Sequence, residues 1–369
     1  MNAPELDYIT VKGFKSIASA EKLGLRPINV IIGANGSGKS NLVALFRFLQ
    51  HIRSGHLQDY AGKIGADNLL HFGPKTTPRL SLELGFTGVE RISYALELEP
   101  GHAVELLPVS ETVTHVTDGK TVKEQLVRNG REAGISGDGL QGTAKWIAGR
   151  IQLWRLYHLH DTGDTSPLRR AADLEDNRSL RADAGNLPAF LYLLQQRHPV
   201  SYSLLRRTVQ LVAPFFDDFI LRPSELNPDR IKLEWRHRES DAYFDAWALS
   251  DGTLRFIALA AIFMQPVELR PRLIVVDEPE LGLHPLAINL LGSMIRMAAV
   301  DSQIVLATQS SHLLDEFTPE DVLVVERSRH TTTFQRLDGV RLESWLEDYS
   351  LGELWEKNEF GGRPGSCRD

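Results

Sequence analysis

The octet GANGSGKS at 33–40 constrains this chain more than any other feature, because of what stands on either side of it. INVII at 28–32 is a short apolar, β-branched run that reads as a buried strand, and Asn41 to Ile52 is apolar on one side and reads as a helix. The octet fits G-x-x-x-x-G-K-[ST], and strand and helix are the context that this pattern requires. Gly33, Gly36 and Gly38 let the loop curl until successive backbone N–H groups face one point, and the helix N-terminus adds a favourable dipole. Such a nest suits a phosphate. Lys39 is expected at the β- and γ-phosphates of a nucleotide and Ser40 on Mg2+; Asn35, Ser37 and Asn41 complete the binding set.

A second constellation gives the phosphate site its chemistry. LIVVDEPE at 273–280 sets two carboxylates directly after an apolar strand. An apolar strand ending in acids is common and by itself reads as a solvated strand end. Beside a phosphate loop on another buried strand it becomes a hydrolytic site, with Asp277 partnering Mg2+ and Glu278 orienting or deprotonating the attacking water. Glu280 is open between a supporting role and plain solvation.

The rest of the chain is organised around these two strands. Alternating segments at 80–86, 91–99 and 111–117 predict an antiparallel sheet. From about 121 to 240 the character changes. KWIAGRIQLWRLYHLH is amphipathic, NLPAFLYLLQQR and YSLLRRTVQLVAPFFDDFI read as helices, and IKLEW at 231–235 is a short strand leading back. A helix from Thr253 to Met264, LIVV at 273–276, a helix from Pro285 to Ala299 and QIVLA at 303–307 then alternate as in an α/β core. The expected divisions are 1–120 and 241–336 for two parts of one head, 121–240 for an inserted, mostly helical lobe, and 337–369 for a tail.

Composition narrows the function classes. A formal net charge of -7 excludes a uniformly basic nucleic-acid binder but not a local basic face. The single cysteine, Cys367, excludes an internal disulfide framework and any cysteine-rich metal site. The N-terminus has no apolar signal region, and no window approaches the roughly 18 apolar residues of a membrane span. A soluble cytoplasmic protein with no membrane partner is expected.

Between the two sites lies ALSDGTLRFIALA at 248–260, and these residues carry a family resemblance. The segment resembles the LSGGQ signature of ABC-type ATPases, on the N-terminal side of an apolar helix and ahead of DEPE. LGLHP at 281–285 looks like their D-loop, and TQSSHLLDEF after QIVLA looks like their switch, with Gln309 where many members have histidine. Glutamine can hydrogen-bond a phosphate or water but is no acid or base, which casts doubt on fast turnover. The family's Q-loop glutamine is not evident; Gln50 and Gln58 are weak candidates. ITVKGFKSI at 9–17 narrows the likeness to the standalone prokaryotic heads related to RecF, SMC and OLD-type proteins.

This resemblance implies an ABC-type head: a P-loop NTPase with a mixed central sheet and an antiparallel sheet. It also implies ATP and Mg2+ as cofactors and a homodimer with ATP at the interface. Ser250 and the Gly252 N–H would bind the γ-phosphate held by the other subunit, against the plain alternative of an ordinary helix cap. The cycle would engage DNA or a separately encoded effector such as a TOPRIM-like nuclease, in phage defence or genome maintenance. Arg169, Arg170, Arg178, Arg181, Arg206 and Arg207 are candidate phosphate contacts, with solvated helix surface as the alternative. An ATP-gated assembly scaffold is the second reading. A transporter subunit is a poor third, since the signature lacks the second glycine and final glutamine of that form.

Overall fold

The computed structural model describes residues 6–86, 91–102, 104–117, 119–126 and 130–362; Cys367 lies outside them. Along the chain run β1 (Tyr8–Phe14), β2 (Ile17–Gly24), β3 (Ile28–Ile32), α1 (Lys39–Arg53), α2 (Leu57–Ile64) and α3 (Ala66–Leu69). Then come β4 (Leu80–Phe86), β5 (Arg91–Pro100), β6 (Leu106–Thr117), β7 (Lys120–Gln125), α4 (Gly142–Gln152) and β8 (Trp154–Tyr157). The middle holds β9 (Ala172–Asp173), α5 (Leu187–Arg197), α6 (Pro199–Val212), β10 (Phe216–Ile220), β11 (Pro223–Ser224), β12 (Asn227–Ile231), β13 (Glu234–His237) and β14 (Tyr243–Asp245). The last part comprises α7 (Asp251–Met264), β15 (Leu273–Asp277), α8 (Pro285–Ala298), β16 (Gln303–Thr308), α9 (Ser311–Leu314), β17 (Val322–Ser328), β18 (Thr331–Arg336), α10 (Gly339–Leu346) and α11 (Leu351–Glu356).

Two six-stranded sheets organise these elements. The central one runs β18-β17-β3-β16-β15-β8, parallel throughout except for the antiparallel edge strand β18. β3 is buried along its whole length, as a parallel strand covered on both faces must be. Its alternation divides the core: Val30 and Ile32 face one cluster with α7 and α8, while Ile31 faces the other with α1 and the antiparallel sheet β2-β1-β4-β5-β6-β7. Helix α7 is buried at every position from Leu254 to Met264, a run apolar on all sides except for Arg255.

The stretch 121–240 is more mixed than a helical lobe and is woven into the head. β7 extends the antiparallel sheet to Gln125, α4 packs on the α1 side of the core, and β8 is an edge strand of the central sheet. α5 and α6 join the α7 side, and β9 to β14 build two small three-stranded sheets. One amphipathic run divides here, and one reading of helix is corrected. KWIAGRIQLWRLYHLH stops being helical after Gln152, where bulky Trp154, Leu156 and Tyr157 pair in parallel with β15. FFDDFI leaves the helix after Val212, before Pro214, and becomes β10. IKLEW is likewise interrupted, with Ile231 closing β12 and Glu234 opening β13.

Candidate active site

Parallel strands deliver the chemistry to one edge of the central sheet. β3 ends at the phosphate loop and β15 ends at Asp277, while β16, between them, ends at Thr308 beside Gln309. Loop curvature has a steric cause. Gly36 has φ +79 and Gly38 φ +115, left-handed values natural to glycine, and a Cβ on Gly38 would stand 2.2 Å from the Thr332 hydroxyl oxygen. Gly33 is needed for close approach, since its Cβ would lie 2.2 Å from the Val325 carbonyl. The Ser37 hydroxyl is buried inside the loop without a hydrogen-bond partner among the described residues, and Asn35 and Ser40 are exposed at its rim. This glycine-lined cradle, with an unpartnered hydroxyl, fits a polyphosphate. Lys39 folds back over it, its Nζ donating to the carbonyls of Gly33 at 2.5 Å and Ala34 at 2.9 Å. Burial lowers the Lys39 pKa, and Glu278, Asp277 and Glu280 pull it back up. Asn41 is engaged with the β1–β2 turn, donating to the Ser16 hydroxyl at 2.6 Å.

Glu278 sits at φ +46, a strained backbone for a non-glycine residue, which re-aims its side chain just past the strand. Its carboxylate accepts from Gln309 Nε2 at 2.5 Å, so the expected water-activating acid and the switch residue meet directly. Glu280 is buried, not solvated. It accepts from the Thr308 hydroxyl at 2.6 Å and the Gln309 N–H at 3.1 Å, fixing the switch from beneath. Burial raises the pKa of both Asp277 and Glu280; around Asp277, His160, Lys39 and Arg47 oppose the rise and Glu278 adds to it. Ser40 and Asp277 are oxygen donors of the kind that Mg2+ takes.

Ser250 is the N-cap of α7, accepting from the Thr253 N–H at 3.2 Å, and it remains exposed with Asp251. A Cβ on Gly252 would stand 2.3 Å from the Gly282 carbonyl, so the signature packs directly on the D-loop. Arg255 strengthens that link with a buried guanidinium that donates to the carbonyls of Leu281, Leu159 and His160. His284 caps α8 through Leu286 N–H, a structural role.

Several sequence candidates are held elsewhere. Arg169, its side chain 6% exposed, binds Asp251 at 2.6 Å and the carbonyls of Ala246 and Leu249, bracing the signature loop. Arg181 pairs with Asp176, and Arg206 with Asp218. Arg170, Arg178 and Arg207 remain exposed. Gln50 donates to the Trp154 carbonyl, and Gln58 to those of Leu106 and Arg131. Sequence reasoning missed the cavity of about 720 Å³ beside the loop, where Lys15, Ser16, Phe72, Lys75, Arg327 and His330 converge. It also missed His158 and His160. Their signal was YHLH, an alternating string at the end of a run read only as amphipathic.

Comparison with known proteins agrees with this geometry. The Smc head bound to the C-terminal winged-helix domain of ScpA superposes with a TM-score of 0.60 at 16% identity, covering 93% of this chain and 100% of that one. The Smc head with an extended coiled coil, bound to the C-terminal domain of ScpA from Pyrococcus furiosus, gives 0.56 at 15% identity, with 93% and 99% covered. At such identities the likeness is one of fold, and it establishes the SMC-head architecture. No curated protein matches. Residues 28–315 match the family model described as "AAA domain, putative AbiEii toxin, Type IV TA system". That span takes in the phosphate loop, the signature, the acidic site and the switch, and the chain belongs to this AAA-domain family of ATPases.

Proposed function

We propose that the chain hydrolyses ATP with a divalent cation as a homodimer, and that ATP-driven closure engages a separately encoded effector protein. The observation that carries this reading is the exposed end of α7. Ser250 and Asp251 are exposed, while Arg169 braces the signature loop and Arg255 and Gly252 fix it to the D-loop. A helix N-terminus held that rigidly, with no phosphate of its own nearby in sequence, suits a γ-phosphate presented by a second copy. Within one protomer, Gly33, Asn35, Gly36, Ser37, Gly38, Lys39, Ser40 and Asn41 would hold the nucleotide, with Ser40 and Asp277 as ligands of the divalent cation. Glu278, held by Gln309, would orient the attacking water. The nucleoside would lie toward Lys15, Ser16 and Phe72 in the adjacent cavity.

A protein partner is favoured over DNA because three of the six arginine candidates, Arg169, Arg181 and Arg206, are already paired within the chain and only Arg170, Arg178 and Arg207 stay exposed. The family description, which names a "putative AbiEii toxin" of a toxin–antitoxin system, suits a role in defence. The test is steady-state ATP turnover with and without double-stranded DNA, together with light scattering of the Glu278→Gln variant. ATP-dependent dimers and turnover indifferent to DNA are expected. Full turnover by a monomer would sink the cross-subunit mechanism, and strong stimulation by DNA would replace the effector with nucleic acid.

A further inference from the structure

Two imidazoles stand beside the aspartate of the acidic site, and the ATPase reading has no use for them. β8 and β15 are parallel neighbours with Tyr157 opposite Val276, so the next residues, His158 and Asp277, come at the same end of the two strands. His160 follows two residues on, and the donor atoms of His158, His160 and Asp277 all lie within 4.8 Å of one another. The backbone bearing the two rings is fixed. His158 N–H donates to the Ala182 carbonyl at 2.8 Å, and Arg255 holds the carbonyls of Leu159 at 2.9 Å and His160 at 3.2 Å. Arg47, from α1, reaches the His158 ring at Nε2.

We propose that His158, His160 and Asp277 form a divalent-cation site of mixed nitrogen and oxygen donors, which takes a first-row transition ion in preference to Mg2+. This deepens the ATPase reading, and the ion's link to nucleotide rests on that reading. Mg2+ sheds water reluctantly and prefers oxygen ligands in strict octahedral geometry, whereas imidazole nitrogen strengthens binding of transition ions. Two imidazoles and one carboxylate leave coordination positions open for a phosphate oxygen or water. The Arg47 guanidinium is the resident cation of the ion-free site. An entering ion takes over its charge and its place at the His158 ring.

The experiment titrates the full-length protein with Co2+ in the absence of nucleotide, followed by visible absorption and calorimetry. The wild-type protein is expected to show nitrogen-ligated Co2+ bands that persist in about a hundredfold excess of Mg2+. His158→Asn and His160→Asn should each weaken Co2+ binding by about 10-fold or more. ATP binding in EDTA reports separately on the nucleotide site, with Lys39→Ala as its negative control. Displacement of Co2+ by equimolar Mg2+, or unchanged Co2+ affinity in both histidine variants, would overturn the proposal. Weak Co2+ binding by wild type overturns it without recourse to any variant. Tight Co2+ binding with no ATP binding would instead overturn the ATPase reading and leave the ion site standing.

Discussion

At the scale of single residues, Lys39 and Glu278 separate binding from chemistry. The Lys39 ammonium is nearly buried and rests on two loop carbonyls, a position from which a phosphate oxygen can recruit it at little cost in reorganisation. Removing a charge-assisted hydrogen bond of this kind costs about 1.5–3 kcal/mol, so Lys39→Ala should weaken ATP affinity by about 10- to 100-fold in an equilibrium titration. Unchanged affinity would mean that the phosphate site lies elsewhere. Glu278→Gln keeps the shape of the site and its Gln309 neighbour but removes the base. Turnover should fall by about 10²–10⁴ while ATP binding persists. Gln309→Ala leaves the carboxylate present and releases its partner, so its defect should be smaller than that of Glu278→Gln. Equal defects in both variants would assign Gln309 a role as necessary as the acid itself.

At the scale of elements, the strands and loops that build the candidate site were legible and their couplings were not. β3, α1, β15, α7 and β16 could be read because each is a strongly periodic or continuously apolar run ending at a motif. β8 was hidden because four bulky residues after a helix carry no signal of their own; their strand state is imposed by pairing with β15. Arg169 read as a phosphate contact or solvated surface and Arg255 drew no reading, since nothing local reveals that distant carbonyls await them. Gly252 shows the same limit. It is legible as a phosphate-binding glycine, yet its fit against Gly282 is purely tertiary. Adding a Cβ there forces the D-loop away from α7, and overpacking of this sort costs about 1–3 kcal/mol. Gly252→Ala should therefore lower the denaturation midpoint and slow turnover, with ATP affinity of the isolated protomer unchanged. A variant of wild-type stability with normal turnover would show that the D-loop yields freely and transmits nothing.

At the scale of the whole molecule, stability rests on two apolar clusters on either side of the central sheet, and a buried carboxylate lies against the second. Glu111 on β6 is 1% exposed. Its carboxylate ties three parts of that layer, accepting from Tyr94 of β5 at 2.8 Å and from the N–H groups of Gly134 at 2.5 Å and Ile135 at 2.8 Å. Burial raises its pKa, and those three donors only partly offset the rise. With the folded pKa above the unfolded one, the folded chain binds the proton more tightly. This contribution to stability is fully present below the ordinary carboxylate range and is lost as pH rises through the folded pKa. Glu111→Gln carries no such proton and can still accept hydrogen bonds through its amide oxygen. Chemical denaturation of both proteins across the carboxylate range and up to neutrality isolates the effect. The wild-type-minus-variant stability difference should fall as pH rises and level off above the folded pKa. A difference that grows with pH would mean that the hydrogen bonds to the carboxylate outweigh its burial, and that the charge at Glu111 holds the antiparallel layer to the 134–135 turn.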